Sequence, residues 1–296
     1  MNDQKIEAML EKVQKASRYT GGEMNAVHKD WEGLDLTFAF CFPDTYEVAM
    51  SHLGMKILYG LINQRENMLC ERVCMPWVDM MALMEQEQVP LFSLESRHPV
   101  SEFDAVGFTL QYEMSYTNIL AMLKLSNIPL RSAERERNDP IVLAGGPCAF
   151  NPEPLADVID AFMIGDGEEV MLEVCDLIAA WKKTTDSREK LLKALAGIHG
   201  VYVPSLYDVH YNEDGTIAAF TPNCPEAPAK VNKRIVTDLN SAYYPMDIPV
   251  PYTEIIHDRI MLEIMRGCTR GCRFCEAGML YRPVRERSLE RLLELA

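Results

Sequence analysis

Positive charge is scarce in this sequence. Its 29 Lys and Arg stand against 44 Asp and Glu, a net charge of −15. That balance argues against a broad nucleic-acid surface and against attachment to an anionic membrane. Long apolar runs are missing too, and none approaches the roughly 18 residues of a membrane-spanning helix. The N-terminus, MNDQKIEAMLEKVQK, lacks the apolar core of a signal peptide. Nothing there directs the chain out of the cytoplasm. With no export signal, the nine cysteines are not expected to form disulfides. Six of them (Cys41, Cys70, Cys74, Cys148, Cys175 and Cys224) are scattered, several inside apolar stretches such as LTFAFCF. They read as small buried hydrophobes.

What is present is ordinary globular material. The 296 residues are 48% hydrophobic and 25% charged, with apolar content for real cores and length for about two domains. Residues 1–33 read as a helical extension with a turn at TGGE (20–23). From residue 34 to about 200, apolar strands alternate with amphipathic helices. LDLTFAFCF (34–42), MLCERVCM, DAVGFTL (104–110), IVLAGG (141–146) and IDAFMIG (159–165) are the strand candidates. Met50, Leu53, Ile57, Leu58 and Leu61 form the stripe of one intervening helix, and Val170, Val174, Leu177, Ile178 and Trp181 that of another. This alternation predicts an α/β, doubly wound (Rossmann-like) domain with a parallel sheet covered on both faces. Such domains bind ligands at the carboxyl ends of their strands.

After Gly200 the pattern changes. Residues 201–258 read as a β-hairpin around a Glu-Asp-Gly turn, then a proline-bearing connector. RIMLEIM (259–265) predicts a strand running straight into the densest cysteine cluster, and Ser288 a cap for a final helix. From Arg259 to Arg291 eight arginines meet four glutamates, a local charge of +4. That is either a solvated helix face or an anion-friendly setting for the cysteines.

The cluster is Cys268-x3-Cys272-x2-Cys275. Three thiolates on one short loop can hold three irons of a [4Fe–4S] cluster and leave the fourth iron open. Zinc is the rival, but structural zinc prefers four ligands built from paired units, and no second pair is nearby. Three unrelated core cysteines are the remaining reading. Spacing and context favour iron–sulfur.

Arg266-Gly267-Cys268 leaving a strand, with Phe274 just before Cys275, resembles the signature loop of radical S-adenosylmethionine (SAM) enzymes. The resemblance implies that Cys268, Cys272 and Cys275 ligate the cluster and that SAM chelates the open iron. SAM is then split by one electron into methionine and a 5′-deoxyadenosyl radical. Phe274 matches the aromatic that packs near the adenine. The resemblance further implies a reductant of flavodoxin or ferredoxin type. In the family this loop follows the first strand of a partial (β/α) barrel, so residues 259–296 are expected to be the start of that barrel. Only 21 residues follow Cys275, one helix rather than a barrel. The chain is therefore expected to be an incomplete, inactive part of a longer protein. The family's SAM-binding Gly-Gly-Glu would lie beyond Ala296, and Gly21-Gly22-Glu23 is read as a turn.

AGGPCAFNPEPLADVIDAFMIGDGEEVMLEV (144–174) resembles the C-terminal half of the cobalamin-binding domain found ahead of many radical SAM barrels. Gly145, Gly146, Gly165 and Gly167 become candidate cofactor contacts, since glycine lets a ligand approach the backbone. The plain alternative is local: a glycine turn, and Asp166-x-x-Glu169 as a capping-box variant. The histidine motif of cobalamin enzymes, Asp-x-His-x-x-Gly, is absent, with Tyr46 standing where the histidine should be. His52, read on a helix face with Lys56 and Tyr59, is favoured as a solvated or ligand-lining residue over an axial cobalt ligand. The resemblance runs from RYTGGE onward and implies a cobalamin-assisted methyl or related transfer on a substrate it does not name. The competing function is a cobalamin or small-molecule binding module with a structural zinc loop.

Overall fold

The structure is a computed structural model describing residues 3–296. The extension's first two residues lie outside the described residues. Helix α1 (Asp3–Leu10) comes first. Strand β1 (Leu36–Phe42) follows, then the short helix α2 (Tyr46–Ala49), α3 (Leu53–Asn63), β2 (Met68–Cys74), α4 (Val78–Glu87) and β3 (Ala105–Thr109). Next are α5 (Tyr116–Leu125), β4 (Ile141–Gly145), β5 (Ala161–Met163), α6 (Gly167–Lys182), α7 (Arg188–Ala196) and β6 (Val201–Tyr202). These strands make one sheet in the order β2-β1-β3-β4-β5-β6. The first five are parallel, with Phe38 opposite both Cys70 and Ala105. Strand β6 closes the edge antiparallel to β5. Every residue of β1, β2 and β3 is buried, which is why these strands read as continuous apolar runs. Helices α3, α6 and α7 pack in one layer, and α1, α4 and α5 in another. The expected doubly wound domain is what the chain forms.

The core runs past both ends of the expected domain. Ile6 and Met9 of α1 are buried in the same core as the sheet, and β6 lies beyond residue 200. The N-terminal segment also supplies a charge. Glu23, just after the TGG turn, pairs with buried Arg72 of β2 at 2.8 Å, and Glu95 takes the same guanidinium at 2.6 Å. Arg72 sits mid-strand in a wholly buried β2 because these two carboxylates neutralise it.

Strands β7 (Tyr207–Tyr211) and β8 (Ile217–Pro222) form the expected hairpin. The connector has no regular element but docks back on the sheet. Arg234 bridges Gly165 in parallel, donating its N–H to the Ile164 carbonyl at 2.7 Å. The strand read at 259–265 is not there. Only β9 (Met265–Arg266) forms, followed by α8 (Ala277–Leu280), β10 (Arg285–Glu286) and α9 (Leu289–Leu295), with β9 antiparallel to β10. The physical reason is the ladder. A buried parallel strand needs neighbours on its edges, and among the described residues no other segment's backbone pairs with that of 259–263; Ile264 alone accepts a backbone bond, from the Arg287 N–H at 2.9 Å. Ile260 and Ile264 are exposed instead. Ser288 does cap α9, its hydroxyl accepting the Arg291 N–H at 3.2 Å.

Candidate functional site

The carboxyl ends of β1, β3, β4 and β5 open on a cavity of about 410 Å³. Its floor is apolar, with Phe40, Phe108, Ile57, Leu58, Met163 and Met171. Its far wall comes from the cysteine-bearing segment, through Met265, Arg266, Gly267, Leu280, Tyr281 and Arg282. Between them lie all four candidate glycines: Gly145, Gly146, Gly165 and Gly167. The location follows from the strand order. The chain winds outward in opposite directions from β1 and β3, so their following loops part and leave a crevice.

The glycines divide by cause. Gly146 has φ +105, and a Cβ there would meet the Leu110 carbonyl oxygen at 2.8 Å. Gly165 has φ +108, and its Cβ would lie 2.1 Å from the Arg234 carbonyl oxygen. Backbone geometry alone demands glycine at both positions. Gly145 is different: its Cβ would meet Met163 at 3.5 Å or more, and Gly167 likewise meets Leu58 at 3.4 Å. Neither has a positive φ. The protein's own packing leaves room for a methyl group there, so only an occupant of the cavity would require its absence.

His52 lines the cavity but is not on a helix face. It is the N-cap of α3, and its Nδ1 accepts the Met55 N–H at 3.1 Å. Burial lowers its pKa; a hydrogen bond to Gln111 opposes this and nearby Lys56 adds to it. A neutral ring accepting at Nδ1 carries its proton on Nε2. Nε2 ligation would require moving that proton to Nδ1 and giving up the cap. The histidine is thus spent on the helix.

Asp166 departs from its expected role. It stands at the N-cap position of α6 but makes no capping bond. Its carboxylate accepts the Val236 N–H at 2.8 Å, pairs with Arg266 at 3.3 Å and also binds Arg285. Arg266 additionally contacts Glu168, and Glu263 at 2.7 Å; Arg287 pairs with Glu263 at 3.1 Å. With Arg291 paired to Glu294, four of the eight arginines are neutralised. The anion-friendly setting does not hold for these four, while Arg259, Arg270, Arg273 and Arg282 form no ion pair among the described residues. Sequence reasoning missed Asp166 and Arg266 as partners. The available signal was the position of Gly165-Asp166-Gly167-Glu168 at a strand's carboxyl end.

All nine cysteines are free. The loop 268–275 stands at the rim, with Cys268 half-buried and Cys272 and Cys275 exposed. The Arg270 N–H donates to the Cys268 Sγ at 3.4 Å. Among the described residues no three His, Cys, Asp or Glu side chains are gathered as for a metal. Free thiols have no mutual attraction, and a metal ordinarily gathers its own ligands. The donor chemistry fits an iron–sulfur cluster: three thiols on a loop with Gly267 and Gly271 at positive φ. Cys148, half-buried, has its pKa pushed up to about 11 by burial and by the charges of Glu113 and Glu276. Phe274 is 92% exposed and does not line the cavity.

Comparison with known proteins bears on the whole arrangement. Residues 54–204 match the family described as radical SAM proteins, N-terminal. The uncharacterized protein MJ0966 of Methanocaldococcus jannaschii is 31% identical over 263 residues, covering 87% of this chain and 45% of that protein. The chain thus spans less than half the length of this relative. Among solved structures, the cobalamin-dependent S-adenosylmethionine radical enzyme OxsB, with aqua-cobalamin and S-adenosylmethionine bound, aligns over 88% of this chain and 31% of its own, at 16% identity and TM-score 0.47. The radical S-adenosylmethionine methyltransferase TsrM from Kitasatospora setae aligns over 88% and 44%, at 15% identity and TM-score 0.44. No helix among the described residues is long and apolar enough to cross a membrane.

Proposed function

The chain belongs to the radical SAM protein family, whose N-terminal region it carries, and from that premise we propose that it is the cofactor-holding part of a radical SAM enzyme. The sheet domain would cradle a cobalamin, and the loop 268–275 a [4Fe–4S] cluster. The observation that carries this reading is the shared cavity. One wall belongs to the sheet domain's glycine-bearing strand ends, the other to the segment that bears the cysteines.

The residues divide the work. Gly145 and Gly167 leave the wall open to a close-lying ligand. The apolar floor excludes water from it. At about 410 Å³ the cavity is at the small end of ligand pockets, so it suits one portion of a cobalamin rather than the whole. His52, held on its cap, would not be free to ligate a bound cobalamin. Cys268, Cys272 and Cys275 would each hold one iron. When bound, the cluster supplies the electron that splits SAM. The exposure of Cys272 and Cys275 leaves that side open to a reductant of flavodoxin or ferredoxin type. In this reading the contacts that position SAM would come from outside these residues; the chain covers 45% of its relative. The 296 residues alone are then catalytically silent.

The test is anaerobic reconstitution with iron and sulfide, with hydroxocobalamin added and the excess removed by gel filtration. The reading expects about four irons per chain, lost when the three cysteines become alanine, and cobalamin eluting with the protein. Zinc bound in place of iron would favour the alternative, a binding module with a structural metal loop. 5′-Deoxyadenosine released under dithionite by this chain as fast as by a longer protein with a completed barrel would overturn the division of labour.

A further inference from the structure

Beside the cavity three carboxylates meet three guanidinium groups. Asp166 stands at the N-cap position of α6 and Glu168 in its first turn, and Glu263 comes from the segment before β9. Arg266, Arg285 and Arg287 face them. Charge balances, three against three, and none of the six side chains is more than 16% exposed. In such surroundings, removing one partner leaves another charge uncompensated, which costs far more than at an open surface.

The geometry ties down both ends of the cysteine loop. Arg266 is two residues before Cys268, and its guanidinium spans Asp166, Glu168 and Glu263. Arg285 follows the loop's exit and binds the other oxygen of the same Asp166 carboxylate. Gly267, at φ +96, is pressed so closely on this exit that a Cβ would meet the Tyr281 and Pro283 carbonyl oxygens at 2.8 and 2.9 Å. Between these anchors residues 269–276 are exposed. Asp166 has given up the capping bond its position offers. Its neighbours Gly165 and Gly167 line the cavity.

We propose that Asp166 and Glu168 are positioning residues for the cysteine loop: they hold Arg266 and Arg285, and so set the base of the loop against the cavity wall. The loop's placement thereby follows the start of α6, the element of the sheet domain that an occupant of the cavity would touch. Only the purpose of the anchorage, presenting three thiols to a metal cluster, rests on the reading above. The anchorage itself is open to test in the metal-free chain.

The probe is trypsin, which can cut at exposed Arg270 and Arg273 within the loop. Glu168→Gln removes the charge and keeps the shape. We expect cleavage at these two sites to quicken about tenfold, the effect of losing one charge-assisted contact in a part-buried network, with the thermal midpoint of the sheet domain unmoved. Asp166→Asn should act at least as strongly. Should it unfold the chain, Glu168→Gln and Arg266→Gln carry the test, because they leave the Val236 N–H bond to Asp166 in place. The double variant Glu168→Gln/Arg266→Gln should be cut no faster than Arg266→Gln alone, since the two act through one contact. A merely structural effect elsewhere would add. In the reconstituted chain, the rate of iron loss to a chelator should rise in the same order across the variants. Unchanged cleavage in a folded Glu168→Gln variant, or additive effects in the double variant, would overturn the proposal. A chain that shows the trypsin pattern but takes up no iron keeps the anchorage and removes the cluster reading.

Discussion

Gly145 and Gly146 are adjacent, both line the cavity, and should respond oppositely to one added methyl group. At Gly146 alanine must hold φ +105 with ψ near 180°, a region occupied essentially by glycine alone, and its Cβ would lie 2.8 Å from the Leu110 carbonyl oxygen. Strain of this kind costs about 1–3 kcal/mol before any clash is counted. At Gly145, which ends β4 with no positive φ, the nearest atoms to a Cβ are those of Met163 at 3.5–3.9 Å. Alanine there fits, and by restricting the unfolded chain it should stabilise by about 0.4–1 kcal/mol. The two variants should therefore differ by about 1.4–4 kcal/mol in urea unfolding of the ligand-free chain. Ligand binding should run differently. If cobalamin lies on this wall, the methyl of Gly145→Ala overpacks the contact, a cost of about 1–3 kcal/mol. The more stable protein should then bind hydroxocobalamin roughly tenfold or more weakly, by equilibrium dialysis. A Gly145→Ala chain that binds as the parent does would show that Gly145 touches no ligand. One that is destabilised by more than about 1 kcal/mol would refute the backbone reasoning itself.

Other outcomes follow from single residues. Arg72→Met leaves Glu23 and Glu95 buried without their counter-charge and should cost about 3–5 kcal/mol in urea unfolding; a loss under about 1 kcal/mol would mean that water reaches the pair. His52 has a folded pKa held below its ordinary value, chiefly by burial. Between that value and about 6.5 the unfolded chain binds the extra proton, so stability should rise with pH through this window and fall as pH drops. His52→Asn, which can still cap α3, should flatten this dependence in thermal melts from pH 5 to 7. A piece containing only residues 34–200 loses Ile6, Met9, Glu23 and β6. Burial of the two apolar side chains alone is worth about 1.5–3 kcal/mol each, so this piece should melt less cooperatively than residues 3–222, and equal melting would return the domain boundaries to the sequence-based ones.

Local pattern determined much of this protein. β1, β3 and β4 are runs of apolar residues too short for anything but buried strands, and the stripes on α3 and α6 repeat with the helical period. Both properties are written in neighbouring residues. The cysteine spacing and the glycines at strand ends belong to the same class, and the cavity brings those glycines together. Tertiary structure alone decided the rest. RIMLEIM has the composition of a strand, but a strand exists only if other backbone pairs with it. Asp166 has the position of a helix cap, yet two arginines about a hundred or more residues away hold its carboxylate more strongly than its own helix does. His52 looks like a free imidazole on a helix until the turn of the chain at α3 claims its Nδ1. For RIMLEIM and Asp166 the deciding partners are remote in sequence, and no local propensity reports which of them will arrive; the Met55 N–H that claims His52 lies only three residues on. Burial then settles the outcome, because a charge or an N–H withdrawn from water must take the partner that the fold has placed beside it.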